Sequence, residues 1–159
     1  GAADTPVQSE ASIRQAASKL DEALEAGDLD RVVACFADDC SVELLGVRLR
    51  GHEGVRRWLG WVFAHVERIE FTPRVISVDD DTFIEEFAVT GILANGRRLE
   101  SQWAEILTYR DDLVTSLRLY FNPIDFAPAL GVVGRGVDPA ATRLARRGLE
   151  PFEPIHHPE

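Results

Sequence analysis

The sequence predicts an α+β domain in which three helices precede a long, mainly antiparallel β meander. In the N-terminal part, apolar residues recur at helical spacing on one face. From residue 69 onward the pattern changes to long extended runs that are separated by turn signals. Helices grouped before strands favour helices packed on one sheet over alternating βαβ units.

The helices are predicted from apolar stripes and from residues that begin or end a helix. The predicted ranges are residues 8–26, 29–36 and 52–66. Gly27 stands where a glycine ends a helix, and either Asp28 or Asp30 can cap the short second helix. Ala37, Asp38 and Asp39 are expected to stop that helix before the first strand.

The strands are predicted from runs of β-branched and apolar residues between turns. The predicted ranges are residues 41–45, 47–50, 69–78, 82–93, 97–110 and 113–122. Asn95-Gly96 is a strong hairpin signal, and Asp111-Asp112 marks the last turn. We expect residues 1–126 to form the domain and the proline-rich residues 127–159 to form an extension that packs on the body or on a partner subunit.

Composition excludes several classes of function. The net charge of -10 and the pI near 4.8 argue against nucleic acid and against anionic membrane surfaces. No apolar run reaches the roughly 20 residues that a membrane-spanning helix needs. Cys35 and Cys40 lack zinc-site spacing and are expected to be a reduced pair in a cytoplasmic protein. One lysine against sixteen arginines indicates a GC-rich bacterial genome.

The segment GDLDRVVACFADDCSVELL, residues 27–45, resembles the NTF2-like superfamily, especially its ketosteroid isomerase and SnoaL-like polyketide cyclase branch. In those proteins a similar "AGDLD…ADD…V" signature joins the second helix to the first strand. The resemblance extends from about Ala17 to Phe126. It implies a cone in which a curved sheet wraps a long helix and encloses an apolar pocket. We also expect a homodimer.

Glu105 is the first candidate for a catalytic residue. Strand alternation places it on one face between Trp103 and Leu107, where a half-buried strand usually carries an apolar residue. The resemblance, anchored on Gly96, places Glu105 where the isomerases hold a protonated acid that donates to the substrate oxygen. The alternative is a solvated outer-face glutamate paired with an arginine across the sheet.

Glu86 is the second candidate, because the resemblance implies that its position lines the pocket. One of the neighbours Glu85 and Glu86 must face inward if their strand is covered on one side. We predict that Glu86 is the inward-facing residue. Two carboxylates in one apolar cavity would have their pKa values pushed apart, which supplies an acid and a base.

The predicted substrate-binding residues are hydrophobic and come from helices and strands alike. They are Leu20, Leu44, Trp58, Val62, Ala88, Trp103, Leu107, Leu119 and Phe121. Leu44 stands where the isomerases carry their proton-shuttling aspartate, and Leu20 stands where they carry an oxyanion tyrosine. Ala88, Glu86 and Leu119 stand where the related epoxide hydrolases carry an Asp-Arg-Asp set. Neither mechanism is therefore expected, and the lining favours a bulky hydrophobic ligand.

The histidines give one further catalytic candidate. His65 lies two turns after Trp58 and could act as a general base, although a histidine at a helix C-terminus is often a cap or dipole partner. The pair His156-His157 lacks a carboxylate framework, so no metal site is predicted. Phosphate-loop, serine-elbow and H-E-x-x-H motifs are missing from the sequence, and no cofactor is predicted.

These features lead to two main hypotheses about function. The first is a cofactor-independent enzyme that cyclises, dehydrates or isomerises a hydrophobic polyketide-like intermediate, with Glu105 as proton donor or acceptor. The second is a binding protein of the same fold that holds a hydrophobic small molecule without chemistry. A structural role, with the outer face of the sheet as a dimer interface, is a third possibility.

Overall fold

The computed structural model of the chain describes residues 8–126. Its helices are α1 (Glu10–Glu25), α2 (Leu29–Val33) and α3 (Gly51–His65). Its strands are β1 (Phe36–Leu44), β2 (Val47–Arg50), β3 (Val66–Asp79), β4 (Thr82–Leu93), β5 (Arg98–Arg110) and β6 (Leu113–Tyr120). The predicted extension, residues 127–159, and the pair His156-His157 lie outside the described residues.

The helix α1 is fixed at both ends by its own sequence. Ser9 and Ser12 form a reciprocal capping box at the N-terminus. At the other end Gly27 adopts φ +67°, a conformation that favours glycine, and so ends the helix as predicted. The residues buried on one face of α1 are Ile13, Ala16, Ala17, Leu20 and Ala23. This apolar stripe packs against the sheet, and it therefore determines which of the remaining α1 side chains point toward the interior.

The start of β1 differs from the prediction. Asp28 caps α2 as expected, by accepting a hydrogen bond from the Arg31 N–H. However, α2 ends at Val33, and the strand begins at Phe36 instead of residue 41. The reason is tertiary: Phe36 pairs with Val114 of β6 in a parallel ladder. Residues 37–39 therefore extend the sheet, although their local sequence is typical of a turn.

The six strands form one mixed sheet in the order β2-β1-β6-β5-β4-β3. The β1–β6 pair is parallel and every other neighbouring pair is antiparallel. Irregularities in the β3–β4 register, between Val66 and Arg68 and between Pro73 and Val75, bend the long strands. The sheet curves around α1 and α3, so the predicted fold class, three helices on a curved and mainly antiparallel sheet, is confirmed. Within residues 8–126 no helix combines the length and hydrophobicity needed to cross a membrane.

Gly91 permits the close approach of β3 and β4 beside one of these bulges. A Cβ at this position would stand 2.2 Å from the backbone oxygen of Arg68, which cannot move aside alone. We expect Gly91→Ala to lower the free energy of unfolding by about 1–3 kcal/mol, as overpacking does. Urea denaturation measures this change.

Gly60, inside α3, provides the matched control for Gly91. A Cβ there would meet nothing within 4 Å. Gly60→Ala should therefore stabilise the protein, by about 0.5–1 kcal/mol, through helix propensity alone. Equal effects of the two substitutions would show that the β3–β4 approach places no steric demand on residue 91.

Candidate active-site cavity

A small cavity lies between α1, α3 and the inner face of the sheet. Its volume is about 40 Å³, which leaves room for only a few water molecules. Apart from Asp21 and Glu105, the described side chains that line it are hydrophobic. The predicted residues among them are Leu20, Trp58, Val62, Trp103, Glu105 and Leu119. The cavity is much smaller than the roughly 300–1,000 Å³ of typical ligand pockets, so the expected space for a bulky ligand is not present inside it.

Two glutamates are paired on the inner face of the sheet. The antiparallel register of β4 and β5 places Glu85 directly opposite Glu105. Directly opposed residues have Cβ atoms about 4.5–5.5 Å apart, and like charges at that spacing repel. Asp21 of α1 lines the cavity that Glu105 also lines. Three carboxyl groups are therefore close together in hydrophobic surroundings.

Burial and mutual repulsion raise the pKa of all three acids. Burial, followed by the charge of Glu25, raises the pKa of Asp21 to about 7. Burial, followed by the charge of Asp21, raises the pKa of Glu85 to about 7. Burial also raises the pKa of Glu105 well above its usual range, with the charges of Glu85 and Asp21 as further causes. Burial and the two neighbouring charges therefore favour the protonated form of Glu105, and near neutral pH Asp21 and Glu85 are partly ionised.

Within residues 8–126, no basic side chain forms an ion pair that would offset the negative charge of these three acids. None of the ion pairs found there includes Asp21, Glu85 or Glu105. Glu85 is only 3% exposed, so its ionisation in the folded state is costly. Acids that are kept in such surroundings are typical of sites that need a proton donor and acceptor at neutral pH.

Tyr109 adds a neutral hydroxyl to the same region. It is 2% exposed, and its Oη has no hydrogen-bond partner among the described residues. Burial raises the pKa of Tyr109 above its usual value, and the nearby charges of Glu105 and Asp21 add to this shift. The hydroxyl therefore remains protonated beside the acids.

Comparison with known families identifies the domain. The sequence profile of the SnoaL-like domain family matches residues 17–117, a segment that contains Asp21, Glu85 and Glu105. The chain belongs to the SnoaL-like domain family. A search of curated proteins finds no match.

Solved structures share the fold of this SnoaL-like domain. A proposed polyketide cyclase from Xanthomonas campestris is 20% identical, with 76% of this chain and 98% of that chain covered and a TM-score of 0.67. An LEH-like epoxide hydrolase from M. tuberculosis is 22% identical, with 83% and 96% covered and a TM-score of 0.64. An NTF2-like protein from Burkholderia pseudomallei is 16% identical, with 76% and 98% covered and a TM-score of 0.67. At these identities the likeness shows the fold alone.

Glu86 is not in the cavity of this SnoaL-like domain, which corrects the expectation that it faces inward. Its side chain is 51% exposed and lies 3.5 Å from the guanidinium of Arg74 on the neighbouring strand. Since alternate residues of a strand face opposite sides, the buried position of Glu85 requires Glu86 to face outward. Glu85 therefore has the inward orientation that was predicted for Glu86, although it is not among the described residues that line the cavity. Ala88 shares the outward face with Glu86 and does not line the cavity.

His65 also lies away from the carboxylates. Its Nδ1 is 2.8 Å from the carbonyl oxygen of Trp61, and its ring stacks on the indole of Trp61 at 4.4 Å. It is not among the described residues that line the cavity. The structure thus shows His65 in the helix-end role that was the alternative to a general base. Within residues 8–126 no group of His, Cys, Asp and Glu side chains suits a metal ion.

The remaining predicted binding residues divide between the core and a second space. Leu107 is 1% exposed and lies in the core without lining the cavity. Leu44 and Phe121 line a groove on the outside of the domain, which Leu119 also borders. The structure therefore brings six of the predicted residues together at the cavity. It places Leu44 and Phe121 in the groove instead.

Asp21 and Glu85 were missed by the sequence analysis, although each carried a signal. Asp21 lies four residues after Ala17 and three before Leu24, on the edge of the apolar stripe of α1. Glu85 shares the phase of the large apolar residues of β4. These are Phe83, Phe87 and Val89, all buried. If the face of β4 with the larger apolar side chains is taken as the buried one, Glu85 and not Glu86 is predicted to face inward.

Proposed function

We propose that this SnoaL-like protein is a cofactor-independent enzyme that transfers protons on a hydrophobic carbonyl compound. The overall reaction would be a cyclisation, dehydration or isomerisation of a polyketide-like intermediate. The observation that carries the proposal is the opposition of Glu105 and Glu85 on the inner face of the sheet, with Asp21 and Glu105 both lining the hydrophobic cavity. A pair of acids with raised pKa values can hold one proton and accept another at neutral pH.

The roles of the three acids follow from their environments. Glu105, whose protonated form is favoured by burial and by the charges of Glu85 and Asp21, donates a hydrogen bond to the carbonyl oxygen of the substrate and stabilises the charge that develops there. Glu85 or Asp21, when ionised, removes a proton from the carbon next to that carbonyl. Hydrophobic walls exclude water, which strengthens both interactions.

The family gives this proposal its substrate class. A structural neighbour is a proposed polyketide cyclase, which is consistent with a hydrophobic ketone as substrate. The rival function is binding of a hydrophobic molecule without chemistry. It is favoured by Leu20 and Leu44, which replace the polar residues that the resemblance would require for isomerisation.

Acetophenone in D₂O distinguishes catalysis from binding. Its methyl hydrogens lie next to the carbonyl, and NMR measures their replacement by deuterium. We expect wild-type protein at pH 7 to accelerate this exchange over buffer, and Glu86→Gln, on the outer face, to retain the acceleration. Val62→Trp, which fills the cavity, should abolish it. Binding of acetophenone without exchange would support the rival, and absence of both would contradict the two functions together.

A further inference from the structure

Only a thin partition separates the cavity from a larger space outside the domain. A groove of about 590 Å³ lies between the β1–β2 hairpin and the end of β6. Leu119 lines both the groove and the cavity. Phe121 lines the groove, and its ring lies 5.2 Å from that of Trp103, which lines the cavity. The partition therefore consists of Leu119, Phe121 and Trp103.

The groove has a hydrophobic wall that is exposed in the described structure. Leu45, Val47 and Tyr120 line it with exposures of 58%, 55% and 57%. Large apolar side chains grouped on a surface commonly mark a binding site. Because the groove adjoins the cavity, a hydrophobic molecule that enters the cavity from this side would lie against these residues.

A chain of hydrogen bonds holds Trp103 in the partition. The Trp103 Nε1–H donates to Ser101 Oγ at 2.8 Å, and the Ser101 hydroxyl donates to Asp125 Oδ2 at 2.5 Å. Ser101 is only 1% exposed, and a hydrogen bond to a carboxylate is among the stronger ones. Asp125 lies in the turn after β6, where its N–H donates to the Asn122 carbonyl. The indole is therefore positioned by the segment that follows the last strand.

We propose that the groove and the cavity together form the substrate site, with Trp103 as the gate between them and Ser101 and Asp125 as the residues that position the gate. The ligand is a hydrophobic ketone whose carbonyl end reaches Glu105 and whose remainder occupies the groove. This inference rests on the proposed function, because it supplies the space that a bulky substrate lacks in a cavity of about 40 Å³. Displacement of the indole joins the two spaces.

Two ketones with the same acetyl end test whether the groove belongs to the site. Once the indole is displaced, acetophenone is short enough to lie beside the acids and the partition, whereas 4-acetylbiphenyl carries a second ring that would need the groove. We expect Val47→Asp, in the groove wall, to weaken binding of 4-acetylbiphenyl by about tenfold, as placing a charge against an apolar ring does. Binding of acetophenone should not change. If Val47→Asp affects neither ketone, or both equally, the groove is not part of the site.

Substitutions in the hydrogen-bond chain test the gate. Ser101→Ala should raise the association rate constant of 4-acetylbiphenyl about fivefold or more, because opening of the gate limits access. Stopped-flow tryptophan fluorescence measures this rate. Ser116→Ala, on the neighbouring strand, is the control and should leave the rate unchanged. Asp125→Asn keeps the buried serine and serves as the second variant, so a folding defect of Ser101→Ala does not decide the outcome.

The Trp103 Nε1–H resonance reports the chain itself. We expect its hydrogen exchange to become about tenfold faster in Ser101→Ala and in Asp125→Asn, with assignment by Trp103→Phe. Faster hydrogen exchange without a change in the association rate would show that the chain is structural only, and unchanged exchange would show that it does not hold the indole. These measurements need binding and not turnover, so they stand even if deuterium exchange into the ketone fails.

Discussion

Glu105→Gln should lower the rate of deuterium exchange into acetophenone by about 10³-fold at pH 7, within the range usual for loss of a general acid. Glutamine has nearly the same shape, so the cavity remains intact, but its amide is a weaker proton donor to the developing oxyanion. The loss should fall on the turnover number and leave the affinity for the ketone nearly unchanged, because the carbonyl carries little charge before reaction.

Glu86→Gln is the matched control, since it removes the same group from the outer face of the neighbouring strand. It should change the exchange rate by less than about twofold. Glu85→Gln should shift the pH dependence of the reaction to lower pH, because the charge of Glu85 is one cause of the raised pKa of Glu105. Equal exchange rates in Glu105→Gln and wild-type protein would remove Glu105 from the mechanism.

The fold could be predicted from the sequence because its local and long-range signals agree. The stripe of α1, the glycine at its end and the Asn95-Gly96 turn each specify local geometry, and the structure has all three; Gly96, for example, has φ +84°. The start of β1 could not be predicted in this way. Its first residue is ordered by pairing with Val114 of β6, and no local signal in residues 36–40 encodes a partner so distant in the chain.

The residues of the site could be predicted only where the sequence shows which side chains of a strand face the interior. Glu105 stands between Trp103 and Leu107, so its inward orientation follows from strand alternation alone. Glu85 and Glu86 are adjacent and chemically identical, and a shift of one residue in phase exchanges their roles. The size of the cavity depends on how aromatic rings such as Trp103 and Phe87 fill the space, and a periodicity does not specify that packing.

Wild-type protein should lose stability as the pH rises from 5 to 8, by about 2–5 kcal/mol beyond what its exposed groups contribute. The acids Asp21 and Glu85 each have a folded-state pKa of about 7, above the ordinary values of 3.8 and 4.5 that apply in the unfolded chain. Between these values the folded state binds more protons than the unfolded state, so the free energy of unfolding falls with rising pH. The full stability is present below about pH 4 and is lost as pH rises through 7.

Glu85→Gln isolates this effect, because it removes the charge and keeps the volume. At pH 5 the acid is already neutral, so the substitution should change the free energy of unfolding little. At pH 8 it should raise that free energy by about 1–2 kcal/mol, since it abolishes a buried charge and its repulsion of Glu105 and Asp21. Urea denaturation at both pH values measures the difference, with Glu86→Gln, which should show no pH dependence, as the control. A variant destabilised equally at pH 5 and pH 8 would mean that Glu85 does not ionise at a cost in the folded state, and the cluster would then lack the partly ionised base that proton transfer requires.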